Sequence, residues 1–158
     1  MLKSLKARLE RPKLREAFLF ALMFLLVAAD FLSKRAISAS YEVYESHSFI
    51  KGFLNFTLFH NRGAAFGMLE NHRYIFMTVT CVVVLAGIIL LLFRAFKSTF
   101  LSVAVVFVVA GGLGNLYDRF VFGYVVDFLE FDFIEFAIFN IADVCVVTGA
   151  MMILLVFI

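Results

Sequence analysis

Residues 74–93 carry no charged side chain and are bounded by Arg73 and Arg94. About 20 consecutive apolar residues is the length a helix needs to cross the hydrocarbon core of a bilayer. Three further runs, at about 17–37, 100–117 and 136–158, are also mainly apolar, the first broken by Asp30, Lys34 and Arg35 and the last by Asp143. With 64% hydrophobic residues, a mean hydropathy of +1.02, 22 Phe, one Pro and only 16% charged residues, this is no ordinary soluble domain. A net charge of +2, its carriers segregated along the chain, is too small to suggest a nucleic-acid surface, and lipid is the implied partner.

The charges that remain orient the runs. Lys3, Lys6, Arg8, Arg11, Lys13 and Arg15 precede the first run, and Arg94 and Lys97 lie between the second and third, so both sites read as cytoplasmic. Lys51, Arg62, Arg73 and Arg119 fall to the other side. The expectation is a mainly α membrane protein of four transmembrane helices with both termini cytoplasmic, forming one unit over 1–158, with extracytoplasmic segments at 38–73 and 118–135. Within the first of these, residues 53–59 are rich in strand formers and roughly alternating, which predicts a small β-sheet at the membrane surface. Asn61-Arg62-Gly63-Ala64-Ala65-Phe66-Gly67 follows; its small residues permit a close backbone approach, and Asn61 by itself reads as a turn former. In the first run Asp30 and Lys34 stand four apart, on one helical face, where carboxylate and ammonium can partly neutralise each other. That ion pair argues against a cleavable leader, whereas Arg35 can simply reach the headgroups.

Acids are then placed where lipid should exclude them. Residues 111–143 carry six acidic residues and two asparagines between, and just inside, the last two apolar runs. An ionisable group at membrane depth costs at least about 2.5 kcal/mol on insertion scales, so by default it marks a functional site. Asn115, Asp118 and Arg119 share a helical face if the third helix continues, and an Asp–Arg pair there makes Asp118 a structural carboxylate. Asp127 follows Val125-Val126 on what reads as a short strand, with no basic neighbour in sequence. Asn140 and Asp143 face the same way on the fourth helix. If that helix starts near Phe136, Asp143 lies about 10 Å along it, at about 1.5 Å per residue.

Two carboxylates brought together at such a place cannot both ionise and so share one proton. This meets the requirement of aspartyl peptidase chemistry, with Asp127 and Asp143 as the pair: one takes a proton from water while the other hydrogen-bonds the scissile carbonyl. Ala142 would leave room for a substrate backbone. The alternative is a small proton-coupled transporter or channel subunit using Asp30, Asp127 and Asp143; its weakness is that the inner halves of the runs hold no acid. Cys81 and Cys145 sit in apolar runs without a second Cys or His at ligand spacing and read as core residues. No metal or organic cofactor is indicated.

Five motifs in order among four apolar runs are highly specific together. They are Asp30-Phe31-Leu32-Ser33-Lys34, the Asn61–Gly67 stretch, Gly114-Asn115-Leu116-Tyr117-Asp118-Arg119, Gly123-Tyr124-Val125-Val126-Asp127-Phe128 and Phe139-Asn140-Ile141-Ala142-Asp143. The chain resembles the lipoprotein signal peptidases, the bacterial signal peptidase II family. That resemblance implies an aspartic endopeptidase of the bacterial cytoplasmic membrane, its active site toward the extracytoplasmic side, with Asp127 and Asp143 as the catalytic pair. It implies that Asp30, Lys34, Asn61, Gly63, Asn115, Asp118, Arg119, Asn140 and Ala142 line the pocket, orient substrate or brace the pair. It implies prolipoproteins whose Cys already carries diacylglycerol as substrates, cut before that Cys.

Overall fold

The computed structural model describes residues 13–63 and 73–158. The basic head at 1–12 and the Ala64-Ala65-Phe66-Gly67 end of the small-residue motif lie outside the described residues. The element order is α1 (Lys13–Ser40), β1 (Ser46–Ile50), β2 (Leu54–Asn61), α2 (Arg73–Leu92), α3 (Thr99–Val121), β3 (Val125–Phe131) and α4 (Ile141–Phe157). The stretches Leu14–Ser40 and Thr99–Val121 are long and apolar enough to cross a membrane, whereas Met77–Leu92 and Ile141–Val156 are apolar but shorter.

The helices wear their apolar residues outward. Phe24 is 72% exposed on α1 and Leu155 is 64% exposed on α4, a pattern that suits lipid rather than water. What they bury is largely Ala, Val and polar side chains, Val84, Val105 and Val109 forming one cluster. α3 is the hub, in contact with α1, α2 and α4. Glycines set its closest approach: a Cβ on Gly111 would collide with the carbonyl of Ala142, and one on Gly114 with the Asp30 carboxylate. Replacing Gly111 by Ala should therefore push α3 and α4 apart; the expected loss is about 1–3 kcal/mol, as for other overpacked cores, read as earlier thermal unfolding in detergent.

Ser98 starts α3, its side chain accepting from the Leu101 N–H at 3.3 Å. Arg15 on α1 ties that corner down, donating to the carbonyls of Phe96 and Ser98 and to the Ser102 hydroxyl at 2.6 Å, while Glu16 pairs with Arg94 at 3.1 Å. At the opposite end of the bundle the chain makes the expected small sheet, antiparallel in the order β1-β2-β3. β1 and β2 turn at Gly52 (φ +74), and α3 turns into β3 at Gly123 (φ +81), left-handed conformations that favour glycine. β2 pairs with β3 through Phe59↔Asp127 and Asn61↔Val125, with a bulge between Phe56 and Phe59.

The fourth helix begins at Ile141 rather than near Phe136. Phe139 instead bridges to Leu129, with backbone bonds of 2.8 and 3.0 Å, and so extends the sheet by one contact. The physical reason is the residue that follows. Asn140 is extended (φ −137, ψ 179), its side chain accepts from the Asp143 N–H, and the Asp143 side chain accepts from the Asn140 N–H. This reciprocal capping box defines a helix start. Asp143 consequently sits in the first turn of α4 and not about 10 Å down it. Of the cysteines, Cys145 is buried and Cys81 half-buried, and both are free thiols.

Candidate active site

Sheet and helix ends meet around a cavity of about 570 Å³. Asn61 from β2, Asn115 and Arg119 from α3, Asp127 from β3 and Asp143 from α4 supply its polar wall. Its apolar wall includes Phe131, Phe136, Phe139, Val146 and Val147. Alternation along β3 aims Asp127 inward: Val125 and Asp127 line this cavity, and Val126 between them points to the other face of the sheet.

Amides hold the two carboxylates. Asn140 Nδ2 donates to Asp127 Oδ1 at 2.6 Å, and Asn61 Nδ2 donates to Asp127 Oδ2 at 2.8 Å. Asn115 Nδ2 donates to Asp143 Oδ1 at 2.7 Å, and the Asn140 backbone N–H donates to Asp143 Oδ2 at 3.2 Å. Asn140 Nδ2 also reaches Asn115 Oδ1 at 3.1 Å, so the amides belonging to the two carboxylates bond to each other. Asp127 is 1% exposed. Burial and the neighbouring charge of Asp143 push its carboxyl up to about 7, against the pull of the Asn61 and Asn140 hydrogen bonds.

Behind this pair lies a layer of buried charge. Lys34 Nζ contacts Asp30 Oδ2 at 2.8 Å, Asp118 Oδ2 at 2.9 Å and Asn115 Oδ1 at 3.0 Å. The expected Asp30–Lys34 pair is thus present. The expected Asp118–Arg119 pair is not: adjacent helical residues point apart. Asp118 pairs with Lys34 and accepts from the Val126 N–H at 3.2 Å, while Arg119 donates to the Gly63 carbonyl at 3.3 Å. Gly63 N–H in turn donates to Asn61 Oδ1 at 2.9 Å. That bond is the turn expected of Asn61, the last residue of β2, and the Nδ2 of the same side chain is left to grip Asp127.

Ala142 lies where α1, α3 and α4 meet. It is fully buried, its N–H donates to Asp30 Oδ1 at 2.9 Å and its methyl faces Gly114. Its small side chain lets α3 and α4 approach closely. Sequence reasoning missed the phenylalanines of the apolar wall, because in a chain with 22 Phe none is conspicuous. Their clustering in residues 131–139 was the available signal. Among the described residues no group of His, Cys, Asp and Glu is arranged to hold a metal ion.

Mainly helical, with a small antiparallel sheet, this chain has the fold of solved bacterial membrane enzymes. Two structures of such enzymes, determined by the in meso method at 2.3 and 1.9 Å, superpose with TM-scores of 0.84 and 0.82. Their sequences are 31% and 30% identical to this one, and the match covers 89% and 90% of this chain and 87% and 93% of theirs. Residues 22–158 match the family described as signal peptidase (SPase) II, and the chain belongs to that family. Similar proteins include lipoprotein signal peptidases of Enterococcus faecalis (42% identical, covering 82% of this chain and 81% of the relative) and Streptococcus thermophilus (36%, covering 83% and 86%).

Proposed function

We propose that this protein removes signal peptides from bacterial prolipoproteins within the membrane, by an aspartic mechanism centred on Asp127 and Asp143. One observation carries the mechanism: two carboxylates from different elements, amide-linked through Asn140 and Asn115, on one cavity wall. Asp127, at about 7, is the member suited to hold the shared proton and hydrogen-bond the scissile carbonyl. Asp143, in the first turn of α4, then takes the proton from the attacking water. The helix N-terminus favours negative charge at that position. Membership of the signal peptidase II family supports the substrate class, and nothing in the fold or the relatives supports the transporter alternative.

The finer reading completes the sequence expectation. The substrate carries diacylglycerol on its Cys and is cut before it; the chain is one domain over 1–158 that crosses the inner membrane four times, with both termini cytoplasmic. The sheet end of the bundle, and with it the cavity, is then extracytoplasmic. A signal peptide held as a helix with its positive end inside brings its cleavage site to that end. A cavity walled by both helices and sheet suits a lipidated chain that stays in the bilayer.

The test is cleavage of a diacylglyceryl-modified prolipoprotein by the purified protein, with the product mass identifying the bond cut. Release of a fragment beginning at the lipidated Cys supports the reading; cleavage elsewhere, or none, overturns it. The same assay run against pH checks the proton. Asp127 must be protonated, and its carboxyl lies at about 7, so kcat should fall as pH rises through about 7 and stay low above it. A rate flat from pH 6 to 9 removes Asp127 from that role.

A further inference from the structure

A second cavity, of about 410 Å³, lies across the sheet from the first and shares no lining residue with it. The partition is strand alternation: Leu58, His60 and Val126 face this second cavity, while Asn61, Val125 and Asp127 face the active site. One stripe of α1, Phe31, Lys34, Arg35 and Ser38, forms its floor at i, i+3, i+4 and i+7. Aromatic rings close the opposite side. Phe31 packs edge-on against Tyr117 at 5.5 Å, and His60 stacks on Tyr124 at 4.0 Å, beside Phe122.

The charges within it are not equivalent. Lys34 is consumed by Asp30 and Asp118. Arg35 is exposed, lies 5.4 Å over the Phe31 ring, and makes no ion pair with an acid among the described residues. It is a guanidinium held over an aromatic ring at the mouth of a half-apolar cavity of small-molecule size. Exposed apolar side chains continue down α1 from that stripe, among them Leu32 and, two turns before Phe31, Phe24. A phosphate head above and acyl chains along that helix fit this arrangement, because a guanidinium binds phosphate by charge-assisted paired hydrogen bonds.

We propose that this cavity is a binding site for a glycerophospholipid of the surrounding membrane, its phosphate on Arg35 and Ser38 and its chains against α1. Glu42, also in the lining, stands ready for an ammonium headgroup, which makes phosphatidylethanolamine the first probe. The site is separate from the peptidase cavity, so its occupancy is read without turnover.

The experiment is native mass spectrometry of the full chain, delipidated in detergent and titrated with phosphatidylethanolamine, for the wild type, Arg35→Gln, Lys51→Gln and Asp127→Asn. Arg35 and Lys51 are both exposed, so neither substitution disturbs the core. Arg35→Gln should lower occupancy at least about tenfold, the loss of one charge-assisted contact, while Lys51→Gln and Asp127→Asn bind as wild type. Diacylglycerol, which has no phosphate, should not displace the lipid. The proposal is overturned if Arg35→Gln retains wild-type occupancy, if Lys51→Gln loses as much as Arg35→Gln, or if diacylglycerol competes as well as phosphatidylethanolamine.

Discussion

Asp127→Asn and Asp143→Asn will each reduce cleavage of the lipidated prolipoprotein by about 10⁴-fold, the upper end for loss of a general acid or base. The amide is nearly isosteric with the acid but cannot take a proton from water or share one. The fold should survive for reasons visible in the bonding. Asp127 receives donors on both oxygens, from Asn140 and Asn61, and Asp143 from Asn115 and the Asn140 backbone. An asparagine keeps one acceptor and turns an NH₂ toward the other donor, a mismatch of about 1–3 kcal/mol. Removing one of two neighbouring carboxylates relieves their repulsion and offsets part of that. Asp118→Asn is the contrast, because Asp118 meets Lys34 and the Val126 N–H and not the cavity. It should slow the enzyme without abolishing turnover. Full activity in a folded Asp127→Asn protein would sink the dyad.

The largest stability effect is expected at Lys34, which is 4% exposed and neutralises two carboxylates, Asp30 at 2.8 Å and Asp118 at 2.9 Å. Lys34→Met removes the cation and strands both acids beneath the site. Removing one partner of a buried ion pair typically costs about 3–5 kcal/mol, and here two acids lose the same partner. Thermal unfolding in detergent should fall accordingly, and activity with it, since Lys34 also orients the Asn115 amide that holds Asp143. Adding Asp30→Asn and Asp118→Asn to Lys34→Met should restore much of the stability, because the uncompensated charges are then gone. If Lys34→Met unfolds like the wild type, the three-charge layer does not bear on stability. A triple variant no more stable than the single would mean that the loss comes from packing and not from charge.

Much of the site was legible in the sequence for a simple physical reason. Lipid makes every charge conspicuous, so Asp30, Lys34, Asp127 and Asp143 stood out against apolar runs before any contact was known. Helical spacing was enough to foresee the Asp30–Lys34 pair, and the Val125-Val126 pair the strand that carries Asp127. Where the reading failed, the partner came from elsewhere in the chain. Asp118 was given to Arg119, its neighbour, but the helix turns the two side chains apart and α1 brings Lys34 instead. The start of α4 was placed at Phe136 because Phe, Ile and Ala read as one apolar run. An Asn140–Asp143 cap and a backbone bridge to β3 override that run.

By itself, then, the sequence determined that this chain belongs in a membrane and which residues set charge against its apolar runs, since both follow from the free energy of placing charge in lipid and from local periodicity. Only the tertiary structure decided which amide grips which carboxylate, that Ala142 serves packing against Gly114, and that the sheet divides two cavities. Those depend on contacts between residues far apart in the chain, such as Ala142 with Asp30 and Asn61 with Asp127. No local pattern encodes them.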